Sequence, residues 1–308
     1  MAISEDGSRL LLGLRDGSVR VVDPASGKTI AKSNLGARLL TAAVVAPLLL
    51  TLLFVGPVWG WYALVLAASI VAAQELFAMT HPADRVSQAV GILTTVAVSV
   101  AIYRYTTDAR VLLSVLFGVP IAGALITLFR LGEIETAAPR SMASIAGPLY
   151  IGALLTTVAL IRRDLGERGP HWVLMALMFA WLADTGGYFV GRAFGRHKLY
   201  ERVSPKKTVE GFFGSILGAC AGALLAHFWY LPQIPLTHAL ALAVVAGALG
   251  QLGDLFESLI KRSTGIKDSG WIVPGHGGIL DRIDALLVVS PVVYLYGIWA
   301  GFYGPIRF

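Results

Sequence analysis

The sequence has one cysteine and few charged residues. Asp, Glu, Lys and Arg make up 14% of the 308 residues, whereas hydrophobic residues make up 56%, and the mean hydropathy is +0.71. So little charge excludes an ordinary soluble domain and indicates a polytopic membrane protein. The single Cys220 excludes a disulfide scaffold and any multi-cysteine zinc site. The net charge of +6 is modest, and we expect no nucleic-acid partner.

Long apolar runs follow one another from Arg38 onward. Each is about long enough to cross a bilayer as a helix, the form in which a backbone satisfies its own amides in lipid. The runs cover residues 39–55, 58–79, 88–103, 111–129, 142–161, 171–190, 211–230, 237–252 and 285–302. We predict an all-α, polytopic integral membrane protein with about nine transmembrane helices, and we assign residues 34–308 to this domain.

The first 33 residues differ from the rest. Two β-type runs, 9–14 and 18–22, are separated by turn residues, and the pattern resembles one blade of a WD40-like β-propeller. One blade cannot bury both of its faces, and no second copy follows. We interpret residues 1–33 as a propeller-blade-like or disordered cytosolic extension, with a fusion remnant or a misassigned start as alternatives.

The distribution of basic residues predicts the orientation. With the N-terminus in the cytosol, the cytosolic segments are 1–38, 80–87, 130–141, 191–210 and 253–284. These segments hold 19 of the 25 Lys and Arg residues, as the positive-inside rule requires. Two long polar segments, 191–210 and 253–284, therefore face the cytosol.

The segment 253–284 combines charges of both signs. Its charged residues are Asp254, Glu257, Lys261, Arg262, Lys267, Asp268, Asp281, Arg282 and Asp284, with His276 between glycines. Because Mg²⁺ prefers oxygen ligands and phosphates prefer Lys and Arg, this pattern predicts a site for a divalent metal and a polyphosphate. The alternatives are salt bridges for the carboxylates and a structural hydrogen bond in a tight turn for His276.

The segment 191–211 supplies a second group of cations. It contains the sequence SPKKTVE, in which Lys206 and Lys207 lie between Ser204 and Thr208. Such a segment either anchors the protein on anionic headgroups or binds phosphate. Asp184 precedes it, at the end of an apolar run where a carboxylate is costly unless paired or metal-bound, so we expect Asp184 to be functional.

Together these segments carry a family resemblance. The patterns S-x-x-K-R-x4-K-D from Ser258 and P-x-H-G-G-x-x-D-R-x-D from Pro274 resemble the signature of phosphatidate cytidylyltransferases (CDP-diacylglycerol synthases). Residues 183–199 and 204–211 are similar to that family too, and the resemblance covers about 34–308. Val273 and Ser269 depart from the residues usual there, but neither carries metal or phosphate chemistry.

The resemblance implies transfer of CMP from CTP to phosphatidate, giving CDP-diacylglycerol and pyrophosphate for phospholipid biosynthesis. It implies a protein of the cell (inner) membrane whose active site faces the cytoplasm among membrane lipids. Family members use Mg²⁺, and K⁺ can share the site. Small-residue helix faces favour a homodimer.

The resemblance also implies roles for individual residues. The expected metal ligands are Asp254, Asp281, Asp284 and Asp184. The expected phosphate-binding cations are Lys206, Lys207, Lys261, Arg262, Lys267 and Arg282, of which Lys261, Arg262 and Arg282 are counted as catalytic together with Asp254 and Asp281. The other expected substrate-binding residues are Ser204, Thr208, Glu210, Ser258, His276, Gly277 and Gly278.

Two other interpretations stay open. One is a cytidylyltransferase or CTP-dependent kinase that acts on another lipid, because apolar helices would not distinguish acyl chains. The other is a transporter or scramblase, whose charges we would expect to be spread through the membrane midplane.

Overall fold

The computed structural model describes residues 46–267, 269–270 and 277–302, together with the backbone of four short strands before residue 34. Within these residues, eight helical segments are long and apolar enough to cross a membrane. The predicted all-α membrane architecture is therefore confirmed. The remaining predicted run, 39–55, is helical over 46–54, and its residues 39–45 lie outside the described residues.

The four N-terminal strands form an antiparallel sheet. Strands β1–β4 cover Ala2–Ile3, Leu10–Gly13, Val19–Val22 and Thr29–Ser33 and pair in chain order. Four antiparallel strands are also what one propeller blade contains. The sequence indicated only the middle two strands, and the boundary at residue 33 stays a prediction.

After the helical residues 46–54, nine further α-helices follow in the described part of the chain. Helices α1–α9 cover Val58–Thr80, Arg85–Arg104, Ala109–Phe129, Ala137–Gly147, Leu154–Asp164, Gly169–Phe194, Val209–Leu225, Leu236–Ser263 and Leu280–Trp299. A π-helical turn, Pro148–Ala153, joins α4 and α5 into one span. It begins at a proline, where the sequence predicts a local break because proline cannot donate the helical hydrogen bond. A second π-helical turn, Ala226–Tyr230, extends α7.

Four polar segments gather at one end of the helix bundle. Residues of the segments 80–87, 130–141 and 253–284 line one cavity of about 820 Å³. Arg262, at the end of α8, donates to the carbonyl of Val203 in the fourth segment, at 3.4 Å. We call this end the polar end. Four of the segments predicted to be cytosolic therefore lie on one side of the bundle.

Glycines allow α6 and α7 to approach closely. A Cβ on Gly186 would lie 2.3 Å from the carbonyl oxygen of Gly214, and a Cβ on Gly218 would lie 2.0 Å from that of Leu182. Neither position has room for a larger residue. This packing fixes the hairpin between the two helices, strands β5 (Lys198–Tyr200) and β6 (Ser204–Thr208), at the polar end.

Candidate active site

The β5–β6 hairpin brings a cation onto α8. Lys207 lies in β6, and its Nζ is 2.6 Å from Oδ2 of Asp254. The same Nζ donates to the backbone carbonyl of Gln251 at 3.4 Å. The sequence predicts a loop for SPKKT, whereas the structure has a strand there, because Lys198–Tyr200 pairs with it. The polar segments 191–210 and 253–284 therefore meet at this ion pair.

The helix α8 extends well beyond its apolar run. The run ends at residue 252, but the helix continues to Ser263 and carries Asp254, Glu257 and Lys261 on consecutive turns. Helical spacing places these three side chains on one face. That face points toward the start of α9.

Three carboxylates converge between α8 and α9. Asp254, Glu257 and Asp284 each offer one oxygen, and these oxygens lie within 4.8 Å of one another. We call these three residues the acid cluster. Three hard oxygen ligands at such separations suit a divalent cation. Glu257 is 1% exposed, and its Oε2 is also 2.6 Å from Nζ of Lys261.

Asp281 has a different environment from Asp284. Its Oδ1 accepts from Nζ of Lys261 at 2.5 Å, and its Oδ2 accepts from the backbone N–H groups of Ser269 and Gly278. Gly277, directly before Gly278, has a φ of 80°, a conformation that favours glycine. Lys261 therefore ties α8 to α9. The geometry favours Asp284 over Asp281 as a metal ligand, and the role predicted for Asp281 stays a prediction.

Asp184 lies at the edge of the acid cluster. Its Oδ1 is 3.5 Å from Nε2 of Gln251. Asp184, Lys206, Lys207, Gln251 and Asp254 line a cavity of about 280 Å³. Its lining combines two carboxylates with two lysines, so it can hold a cation together with an anionic ligand.

Several predicted substrate-binding residues take part in local structure. The Thr208 hydroxyl accepts from the N–H of Gly211 and caps α7. Glu210 accepts from the backbone N–H groups of Arg196 and His197. Arg262 donates to the carbonyls of Val203 and Ile266. These contacts shape the polar end, and binding of substrate by the same residues stays a prediction.

The remaining predicted residues are placed as follows. The hydroxyl of Ser258 lies 3.5 Å from Oδ1 of Asp254, and Ser204 is half-buried in β6. Lys206, Lys267 and Arg282 are exposed. His276 lies outside the described residues.

Two glutamates at the site are absent from the predicted set. Glu257 shares the face of Asp254, but the sequence interpretation stops at Asp254, Asp281, Asp284 and Asp184 as metal ligands. Glu75 is the one charged residue of α1. The signal for Glu75 was available, because a carboxylate within an apolar span needs partners.

Residues 36–299 match the family described as the Cytidylyltransferase family. This match covers most of the chain. The chain belongs to the cytidylyltransferase family. The acid cluster and the β5–β6 hairpin both lie within the matched residues.

Curated relatives agree with this assignment. The "Phosphatidate cytidylyltransferase" of Staphylococcus saprophyticus is 46% identical over 127 residues, which are 41% of this chain and 49% of that protein. The protein of the same name from Bacillus subtilis is 42% identical over 146 residues, 47% of this chain and 54% of that protein. The chain spans about half the length of the curated relatives it matches.

Proposed function

We propose that the protein transfers CMP from CTP to phosphatidate, forming CDP-diacylglycerol and pyrophosphate. The observation that carries the proposal is the meeting of Lys207 with Asp254 at 2.6 Å, beside a cavity that also adjoins Lys206 and Asp184. Membership of the cytidylyltransferase family and the name of the curated relatives support the choice of nucleotide and lipid.

The acid cluster fits a divalent metal. Asp254 and Asp284 are half-buried and Glu257 is buried, and like charges this close repel one another unless a cation lies between them. We propose that Asp254, Glu257 and Asp284 hold Mg²⁺, with Asp184 at the edge of the site and K⁺ as a second ion. When bound, Mg²⁺ would neutralise triphosphate charge and stabilise the departing pyrophosphate.

The reaction needs charge neutralisation more than a base. The nucleophile is a phosphate monoester with a second pKa near 6, so it is already largely dianionic at neutral pH. A phosphatidate oxygen forms a bond to the α-phosphorus of CTP, and the bond from that phosphorus to the β-phosphate oxygen breaks. Each pair of like charges at ~4 Å costs about 4 kcal/mol at an effective dielectric of ~20. Lys206 and Lys207, which line the cavity, offset this repulsion.

The polar end is the proposed meeting place of the two substrates. CTP is soluble and phosphatidate is a lipid, so the site must lie at a membrane surface. We propose that this surface is the cytoplasmic side of the cell (inner) membrane, on which the basic segments concentrate. A homodimer stays a prediction, which crosslinking in native membranes would test.

The position of the label in CTP distinguishes the candidate reactions. Purified protein in phosphatidate-containing vesicles receives CTP labelled at the α- or the γ-phosphate, with Mg²⁺ or with a chelator. We expect label in lipid from α-labelled CTP alone, and only with Mg²⁺.

Three other outcomes would each reject the proposal and support a different function. Lipid labelled from γ-labelled CTP would indicate a CTP-dependent kinase. Activity with a diether phosphate but not with phosphatidate would indicate another lipid substrate. Lipid translocation without labelling would indicate a scramblase or transporter.

A further inference from the structure

Glu75 is a buried charge in a membrane-spanning helix. It is the single charged residue of α1 and is 4% exposed. A carboxylate in such a place is costly unless hydrogen-bond donors surround it. The hydrogen-bond donors around Glu75 therefore indicate its role in α1.

Glu75 accepts hydrogen bonds from three residues of the segment 253–284, about 200 residues away in sequence. The hydroxyl of Ser269 donates to Oε2 at 3.0 Å. The N–H of Ile279 donates to Oε1 at 3.0 Å, and the N–H of Leu280 donates to Oε2 at 2.9 Å. Ser269, within the segment between α8 and α9, and the start of α9 are thus held on one carboxylate.

Glu75 also completes the start of α9. The helix begins at Leu280, and the preceding Ile279 has no side chain that can cap it. The first N–H groups of a helix need acceptors, and a negative charge is favourable there because of the helix dipole. The carboxylate from α1 takes this place. A Cβ on Gly278 would lie 2.4 Å from its Oε2, so the glycine allows the contact.

The same segment orients the residues of the site. The N–H groups of Ser269 and Gly278 donate to Oδ2 of Asp281, whose Oδ1 accepts from Lys261. Asp284 follows one turn later on α9 and belongs to the acid cluster. The position of Asp284 opposite Asp254 therefore depends on where α9 starts.

We propose that Glu75 is a positioning residue for nucleotidyl transfer, fixing the first turn of α9 so that Asp284 and Asp281 face α8. This inference rests on the proposed function. Glu75 would not touch substrate or metal. Its removal should loosen the start of α9 and weaken the binding of Mg²⁺ between α8 and α9.

The test compares Glu75→Ala and Glu75→Gln with the wild type in two measurements. In amide hydrogen exchange without nucleotide, we expect Glu75→Ala to exchange at least about 10-fold faster over residues 277–281, with α6 and α7 unchanged. In the transfer assay, we expect kcat to fall about 10- to 100-fold, as for residues that orient metal ligands, and the Mg²⁺ concentration for half-maximal rate to rise. Glu75→Gln should lie between, because its amide nitrogen cannot accept a hydrogen bond.

Ser69→Ala is the matched control. Ser69 is fully buried in the same helix, and its hydroxyl donates to the carbonyl of Val65 within that helix. We expect wild-type exchange, rate and Mg²⁺ requirement from this variant.

The inference is overturned if Glu75→Ala keeps both the exchange rates and the Mg²⁺ requirement within about twofold of the wild type. If Glu75→Ala fails to fold, Glu75→Gln and Gly278→Ala decide by the same measurements, since a methyl group at Gly278 would collide with the carboxylate. An inactive wild type would reject the proposed function, whereas the exchange measurement would still test the contact.

Discussion

Two groups of charged residues lie at opposite ends of the helix bundle. Away from the polar end, Arg163 and Asp164 are 3% and 4% exposed and pair with each other at 2.5 Å. Arg163 also donates to the carbonyl of Tyr103 and to the hydroxyl of Thr106, and Asp164 accepts from the hydroxyl of Tyr294. Opposite charges are matched, and the hydrogen bonds close the network.

The acid cluster at the polar end is built differently. Its three carboxylates lie within 4.8 Å of one another, with Lys261 on one side and Lys207 on the other. Three negative charges meet here, and an open cavity of about 280 Å³ adjoins them. A closed network of matched charges holds helices together, whereas a group of like charges beside a cavity is suited to binding a cation.

Breaking the closed network should have the largest effect on stability. In Asp164→Ala, Arg163 keeps its charge in a buried site without its carboxylate partner. We expect the free energy of unfolding to fall by about 3–5 kcal/mol, measured by denaturant unfolding in detergent. Transfer activity per folded molecule should stay near the wild-type value.

Asp108→Asn is the control for that prediction. Asp108 is exposed and caps α3, so its amide variant should unfold like the wild type. A stable Asp164→Ala would mean that the Arg163–Asp164 pair does not hold the helices.

Neutralising a residue of the acid cluster should lower the activity and leave the stability largely unchanged. We expect Asp254→Asn to lower the rate of CMP transfer at least ~100-fold, as the loss of a group that stabilises transition-state charge does. The melting temperature without metal should change little, because the loss of the ion pair with Lys207 is offset by the removal of one of three repelling charges. Added Mg²⁺ should raise the melting temperature of the wild type and not that of the variant.

Glu135→Gln provides the comparison for Asp254→Asn. Glu135 is exposed in the segment between α3 and α4, and its neutralisation should change neither quantity. If Asp254→Asn kept the wild-type rate of CMP transfer, Asp254 would not be part of the active site.

Loss of the charges of Lys206 and Lys207 should impair CMP transfer less than loss of the charge of Asp254. We expect neutralisation of Lys206 and Lys207 to methionine to raise the KM for CTP by about 10-fold or more, since a charged hydrogen bond contributes roughly 1.5–3 kcal/mol. Arg202→Gln removes a charge from the exposed turn of the same hairpin and should leave KM unchanged. If the Lys206/Lys207 variant and Arg202→Gln raised the KM for CTP equally, SPKKT would act only as a general anchor on anionic surfaces.

The smallest effect is expected at an exposed pair outside the spans. The guanidinium of Arg130, 2.9 Å from Asp84, holds the pKa of that carboxyl well below its usual range. A lowered carboxyl pKa contributes stability above about pH 4, the unfolded value, and this contribution is lost as pH falls toward the folded value. Because the pair is exposed, the contribution is small.

Asp84→Asn isolates that contribution, since asparagine also caps helices. We expect a slightly lower melting temperature at pH 7 and a difference that shrinks between pH 5 and pH 3. A difference that grows with acidity would contradict the assigned pKa direction.

Local patterns predicted more of the helices than of the site. The apolar runs identified eight spans that the structure has, and the turn-by-turn spacing of Asp254, Glu257 and Lys261 predicted their shared face. Hydropathy alone does not reach the end of α8, since the apolar run stops at residue 252 and the last turns of the helix are polar. The strand at SPKKT was missed because its partner, Lys198–Tyr200, is short and equally polar.

The sequence by itself determined that the chain is a membrane protein with two charged segments, because hydropathy and charge are properties of consecutive residues. Only the tertiary structure decided that Asp281 pairs with Lys261 while Asp284 joins Asp254 and Glu257. It likewise decided that Glu75 of α1 accepts hydrogen bonds from the N–H groups at the start of α9. Those contacts join residues far apart in the chain, and they depend on how the helices pack rather than on any local spacing.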